Sequence, residues 1–219
     1  MIRTPTCRAL FDYWNAVRGE RIAPRRFEIE PSRIADILAD TFILERVDRA
    51  HYRYRLAGTR MCDGLAAEFR GASFLDHWQP DARGRLVELL SDVAGRGAIA
   101  LLRAEVPVAD AAPRTFEFIV LPLLHTGQSV ERFLGAASPV EPALASTARV
   151  AGLPGLVEAE TFTPEDIGLT AGNGPGATRQ MPLSVLVRSA RIVRHNRRHF
   201  RVYDGGLAQE TPRPPRGEG

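Results

Sequence analysis

The side chains that could carry out chemistry are few, and their spacing matches no catalytic motif. Cys7 and Cys62 are 55 residues apart, which fits neither a disulfide framework nor a zinc site, so we expect two reduced thiols. His51 and His125 fall in predicted turns, where we expect them to be solvated. The sequence contains no G-x-S-x-G nucleophile, no phosphate-binding glycine loop and no histidine, cysteine and aspartate set at metal-ligand spacing. These observations predict a protein without enzymatic activity.

Positive charge is concentrated near the C-terminus. All 29 basic residues are arginine, and residues 183–219 hold eight of them against three acidic residues, although the net charge of the whole chain is only +3. Both a solvated tail and a surface that binds nucleic acid or an anionic membrane fit this pattern. NRRHFRV is also similar to the start of cyclic-dinucleotide-binding PilZ domains, but no barrel sequence follows it. The predicted basic patch consists of Arg188, Arg191, Arg194, Arg197, Arg198 and Arg201.

The elements that must position any site begin with an N-terminal helix. Thr4 and Pro5 predict its start, and Gly19 predicts its end. The helix covers an edge or a face of the domain, or it pairs with a second copy or a protein partner. The surface for that pairing is an apolar stripe at helical spacing, formed by Leu10, Tyr13, Trp14 and Val17.

Alternating residues predict an antiparallel hairpin from 41–47 and 52–57. In the second strand, Tyr52, Tyr54 and Leu56 share the face on the core, and Arg55 on the other face is expected to pair with an acid. Short helices and a longer helix from Asp81 follow. Three further strands are predicted at 98–108, 114–124 and 130–140. This order predicts an α+β fold with a five-stranded antiparallel sheet and helices on one face.

Composition divides the chain into three parts. Residues 1–40 are predicted to form an N-terminal helical cap, and residues 41–140 the main domain. Residues 141–219 are rich in proline, glycine and then arginine, which predicts an irregular, partly disordered extension. No apolar run has the length of a membrane span, and no secretory signal is evident, so we expect a cytoplasmic protein.

Several separated motifs resemble those of the PAS domain family, and in particular of short alphaproteobacterial PAS proteins. The resemblance covers about residues 8–140. It departs at Glu30, where aspartate is expected, and from residue 141 onward. The motifs are Trp14, Arg18-Gly19, Pro24-Arg25-Arg26, Glu30-Pro31, the strand YRLAGT at 54–59, Phe69-Arg70-Gly71, Trp78, Leu121-Pro122-Leu123 and Arg132-Phe133-Leu134-Gly135.

The resemblance implies a sensory or protein-interaction module with a hollow between the sheet and its helices. Haem-binding relatives use a histidine near that hollow, and His77 is the positional candidate, although a lone histidine beside Trp78 is more often a hydrogen-bonded structural residue. Cys62 lies in MCDG rather than in the N-C-R-F-L-Q context of flavin-binding relatives, so no flavin photoadduct is expected. The candidate pocket residues are Tyr54, Leu56, Phe69, His77, Leu86, Leu90, Phe116, Phe118 and Leu134.

The sequence therefore leads to two hypotheses. The first is a non-enzymatic PAS regulatory protein that acts in signal transduction by sensing a small ligand, by binding a protein, or by both. The second is a regulator that binds nucleic acid or an anionic surface through the basic patch. Neither the ligand nor the partner is identified by the sequence.

Overall fold

A computed structural model describes residues 1–125, 129–141 and 149–166. The predicted basic patch lies outside these residues, and its role stays a prediction. Helix α1 spans Pro5–Arg18, α2 spans Thr59–Leu65 and α3 spans Arg83–Arg96; short 3-10 helices span Arg26–Glu28, Pro31–Asp40, Leu75–His77 and Pro80–Ala82. The strands are β1 Thr41–Arg46, β2 Tyr52–Ala57, β3 Ile99–Val106, β4 Arg114–Leu124, β5 Val130–Pro139 and β6 Gly155–Phe162.

The strands form one antiparallel sheet in the order β2-β1-β5-β4-β3-β6. The predicted α+β class, the antiparallel sheet and the hairpin of β1 and β2 are confirmed. The helical excursion between β2 and β3 separates these two strands, so that β2 lies at one edge of the sheet and β3 lies next to the other edge.

The predicted count of five strands is wrong by one, because β6 was not expected. Gly155–Phe162 pairs along β3, from Ile99 opposite Phe162 to Glu105 opposite Gly155. Pro154 and Pro164 flank this segment and favoured an irregular chain. Its strand conformation depends on the hydrogen-bonding edge that β3 offers. The sheet therefore continues past the domain boundary that we predicted near residue 140.

A β-bulge in β2 changes which residues face the core. Ile43 of β1 pairs with Leu56. Its neighbour Leu44 pairs with Tyr54, so Arg55 lies between two successive pairs. One extra residue shifts the alternation of side chains by one position. Leu56 is consequently 44% exposed, and its predicted place in the pocket is wrong.

Arg55 was predicted to pair with an acidic residue, and in the structure that residue is Glu45. The Arg55 guanidinium lies 3.5 Å from the Glu45 carboxylate, which Arg132 also approaches at 2.8 Å and Arg53 at 3.1 Å. The pKa of Glu45 is lowered overall. Partial burial by itself would raise it, but the hydrogen bond from Arg53 and the charges of Arg132 and Arg55 outweigh this effect. This arginine cluster links side chains of β1, β2 and β5 at the rim of the sheet.

The N-terminal helix packs on its own sheet. Thr4 caps it by accepting a hydrogen bond from the Cys7 amide at 3.3 Å, as its sequence predicts. Leu10 and Trp14 are fully buried, and Trp14 Nε1 donates to the Pro122 carbonyl at 2.8 Å. The domain therefore covers Leu10 and Trp14 of the predicted stripe, whereas Tyr13 and Val17 are half-buried, and pairing of this helix with a partner stays a prediction.

The two faces of the sheet carry different helices. Glu117 and Phe118 are neighbours on β4. The Glu117 carboxylate accepts hydrogen bonds from the Thr4 amide at 2.8 Å and the Thr4 hydroxyl at 2.9 Å. These bonds attach the N-terminal end of α1 to β4. The Phe118 ring lies 5.0 Å from the Trp78 ring. Because successive side chains of a strand point to opposite faces, α1 and the segment around Trp78 lie on opposite sides of the sheet.

We predict that Gly135→Ala destabilises the fold by about 1–3 kcal/mol or more. An added Cβ at Gly135 would collide with the Phe42 ring and would lie 2.7 Å from the Ile119 carbonyl oxygen. The matched control is Gly84→Ala in α3, where the added Cβ meets nothing within 4 Å. Gly84→Ala should raise stability by up to about 1 kcal/mol. Urea unfolding measures both variants, and equal stability of the two would contradict this description of the sheet.

Candidate functional site

A cavity of about 230 Å³ lies between the sheet and the short helices. We call it the aromatic cavity, because most of its larger side chains are rings. It is lined by Tyr54, Leu65, Ala66, Ala67, Phe69, His77, Trp78, Phe118, Val150, Gly152, Leu153 and Pro154.

The first wall of the cavity forms where the chain after α2 pairs with the outer edge of β2. The Tyr54 amide donates to the Ala72 carbonyl at 3.0 Å, and the Gly71 amide donates to the Tyr54 carbonyl at 2.8 Å. These bonds tie the chain after α2 to the sheet edge. They bring the Phe69 and Phe74 rings to 4.9 and 5.7 Å from the Tyr54 ring. Backbone pairing therefore sets the spacing of the rings, and the rings fill the space between helix and sheet.

His77 is held in one tautomer by the backbone. Its Nδ1 lies 2.9 Å from the Ser73 carbonyl oxygen, which can only accept a hydrogen bond. Nδ1 is therefore the protonated nitrogen, and in the neutral ring Nε2 is an acceptor. The His77 ring lies 4.5 Å from the Phe69 ring and 5.9 Å from the Tyr54 ring. A hydrogen-bonded histidine was one of the two predicted roles, and it leaves one ring nitrogen available to a ligand.

Two more polar atoms belong to residues that line the cavity. Tyr54 and Trp78 are each only 1% exposed. Neither the Tyr54 hydroxyl nor the Trp78 indole N–H is bonded to a residue within the described ranges, so each can donate a hydrogen bond to a ligand. Burial raises the pKa of Tyr54 well above its ordinary value, so the hydroxyl keeps its proton and can donate it in a hydrogen bond.

The last wall comes from residues 149–154, which we call the wall segment. The backbone amide of Gln79 donates a hydrogen bond to the Pro154 carbonyl at 3.0 Å, next to the aromatic rings. At the other end, the Ala109 amide donates to the Arg149 carbonyl at 2.8 Å. The wall segment leads directly into β6, so that one short stretch of chain joins the cavity to the edge of the sheet.

The structure brings together four of the nine predicted pocket residues, namely Tyr54, Phe69, His77 and Phe118. Leu86, Leu90, Phe116 and Leu134 are buried but do not line the cavity. Leu134 lies on the same face as Glu117, under α1, because β5 alternates in register with β4. The sequence analysis did not include the wall segment among the pocket residues, because the sequence contains no signal for it. It also did not include Trp78, although the position of Trp78 next to His77 could have indicated this role.

The sequence model of the PAS domain family matches residues 2–138. The chain belongs to the PAS domain family. This match confirms the resemblance that the sequence motifs indicate. PAS domains are in general sensory or regulatory modules of signalling proteins. No curated protein matches the chain. The wall segment and β6 lie after the matched residues, so one wall of the aromatic cavity comes from outside the length that the family model matches.

The cavity does not fit a haem as it stands. Its volume of about 230 Å³ is below the roughly 300–1,000 Å³ of pockets for drug-sized ligands, and a haem is larger than most such ligands. Within residues 1–125, 129–141 and 149–166, no group of three or more histidine, cysteine, aspartate or glutamate side chains could hold a metal ion. None of the helices in those ranges is long and apolar enough to cross a membrane.

We predict that the native PAS domain exposes only Cys62 to a small thiol reagent, and that Cys62 reacts slowly at neutral pH. Cys7 is fully buried on the side of α1 that faces the sheet, whereas Cys62 is half-buried. Burial raises the pKa of Cys62, which lowers the fraction of the reactive thiolate, so its labelling rate should rise as the pH increases.

Mass spectrometry after timed labelling measures the site and the rate. Cys62→Ser should abolish labelling of the native protein, and unfolding in guanidinium chloride should expose both thiols of the wild type. Rapid native labelling of Cys7 would contradict the packing of α1 described above.

Proposed function

We propose that this PAS domain is a non-enzymatic sensor in signal transduction and that its signal is a small molecule bound in the aromatic cavity. The observation that carries the proposal is the set of unpartnered polar atoms on Tyr54, His77 and Trp78 within an otherwise apolar lining. The Tyr54 hydroxyl, the Trp78 indole N–H and His77 Nε2 are free to form hydrogen bonds, which a ligand with complementary groups would make.

Ligand occupancy reaches the rest of the protein through the wall segment. Val150, Leu153 and Pro154 contact the cavity, and β6 begins at the next residue, Gly155. A ligand that packs against these side chains favours the arrangement in which β6 is paired with β3, and loss of the ligand weakens that arrangement. The sensor output is then a change in β6 and in the chain that follows it, which a protein partner recognises.

The test compares two variants of the whole chain that add the same side chain. Ala67→Phe places a ring in the cavity that Ala67 lines, whereas Ala112→Phe adds one at an exposed position away from it. Native mass spectrometry of each natively purified protein, with an absorption spectrum, reports any bound molecule. We expect a bound molecule in the wild type and in Ala112→Phe, and its loss from Ala67→Phe.

Hydrogen exchange then tests the coupling to β6. We expect the amides of residues 155–162 to exchange faster in wild-type protein stripped of its ligand than in the ligand-bound protein. Retention of the molecule by Ala67→Phe, or equal exchange of β6 with and without the ligand, would contradict the proposed sensor.

The predicted nucleic-acid or anionic-surface binding through the basic patch is a separate hypothesis that concerns residues outside the described ranges. Deletion of residues 183–219 should then abolish binding to a nucleic-acid probe, and binding by the whole chain should weaken steeply with salt. The sensor hypothesis instead expects the bound small molecule to survive this deletion.

A further inference from the structure

We propose that the aromatic cavity takes a single-ring aromatic molecule of the phenol class, uncharged and with its hydroxyl group hydrogen-bonded to His77. This inference rests on the proposed sensor function and names the chemistry of its ligand. It follows from the volume of the cavity, the nature of its walls, and the hydrogen-bonding capacity that the protein leaves unused.

The volume sets the size of the molecule. An engineered apolar cavity of about 150 Å³ holds one benzene molecule. The aromatic cavity, at about 230 Å³, is about half as large again. It therefore has room for one aromatic ring and a small substituent.

The walls favour a flat, uncharged molecule. Four of the lining residues are aromatic, namely Tyr54, Phe69, Trp78 and Phe118, and aromatic rings interact well edge to face or offset. No lining residue among those described carries a full charge at its side chain when His77 is neutral. A carboxylate or ammonium group would be removed from water here without an opposite charge, which is unfavourable.

The polar atoms distinguish a phenol from other small aromatic molecules. His77 Nε2 accepts a hydrogen bond, since Nδ1 is committed to the Ser73 carbonyl. The Tyr54 hydroxyl and the Trp78 indole N–H can donate. A phenolic hydroxyl donates one hydrogen bond and accepts another, so it can satisfy His77 and one of these donors together. Toluene can satisfy none of them, and an indole N–H can satisfy only the acceptor.

The experiment titrates the whole chain, stripped of bound molecules, with four probes by calorimetry. Phenol is the expected ligand; toluene has the same ring without the hydroxyl, benzoate adds a charge, and cyclohexanol keeps the hydroxyl without the aromatic ring. We expect phenol to bind about tenfold or more tightly than toluene and cyclohexanol, and benzoate to bind more weakly than either.

His77→Phe separates the hydrogen bond from packing. It should weaken phenol binding about tenfold and leave toluene binding nearly unchanged, because an aromatic ring remains while the Nε2 acceptor is lost together with the Nδ1 bond to Ser73. The matched control is His125→Phe, which replaces an exposed histidine and should change neither affinity. Thermal unfolding checks that each variant is folded, and the wild-type comparison of phenol with toluene decides the question if His77→Phe does not fold.

Equal affinity for phenol and toluene, preference for benzoate, or no binding of any probe would overturn the phenol assignment. These outcomes are distinguishable from failure of the sensor function. If phenol binds as expected but β6 exchanges at the same rate with and without it, the ligand class stands and the coupling to β6 is wrong. If another molecule co-purifies and alters β6 exchange, the sensor stands and the ligand class is wrong.

Discussion

Burial of β4 on both faces is the constraint on which the rest of the structure depends. Glu117 and Phe118 are adjacent and both buried, yet they face opposite sides of the sheet. On one side the Glu117 carboxylate accepts backbone and hydroxyl hydrogen bonds at the start of α1, so a buried charge has partners. On the other side Phe118 supports Trp78 and the aromatic cavity. A single strand thus holds the covering helix and the candidate site in fixed relation.

The aromatic cavity is lined by residues from two parts of the chain. Residues within the PAS domain supply the rings, through the hydrogen bonds between the chain after α2 and the edge of β2. The wall segment closes the cavity from beyond the length that the family model matches, and it continues into β6. The residues that line the candidate site therefore come from both sides of the end of the matched length.

The predictions from sequence succeeded where local pattern and tertiary environment agree. The cap at Thr4, the hairpin of β1 and β2, and the burial of Tyr54, Phe69 and Phe118 follow from short-range periodicity that the core simply satisfies. They failed where one residue interrupts the pattern. The bulge at Arg55 moves Leu56 to the surface, although the letters around it alternate without a break, and the alternation alone contains no sign of the extra residue.

The sequence by itself determined the PAS family, the antiparallel sheet and the apolar stripe of α1, because these depend on residue types at regular spacing. Only the tertiary structure decided what the stripe covers, that β6 joins the sheet, and which rings meet around the cavity. Those outcomes depend on contacts between residues far apart in the chain, such as Trp14 with Pro122 and Gln79 with Pro154. The tautomer of His77 belongs with them, since the carbonyl of Ser73 selects it only once the short helix has formed.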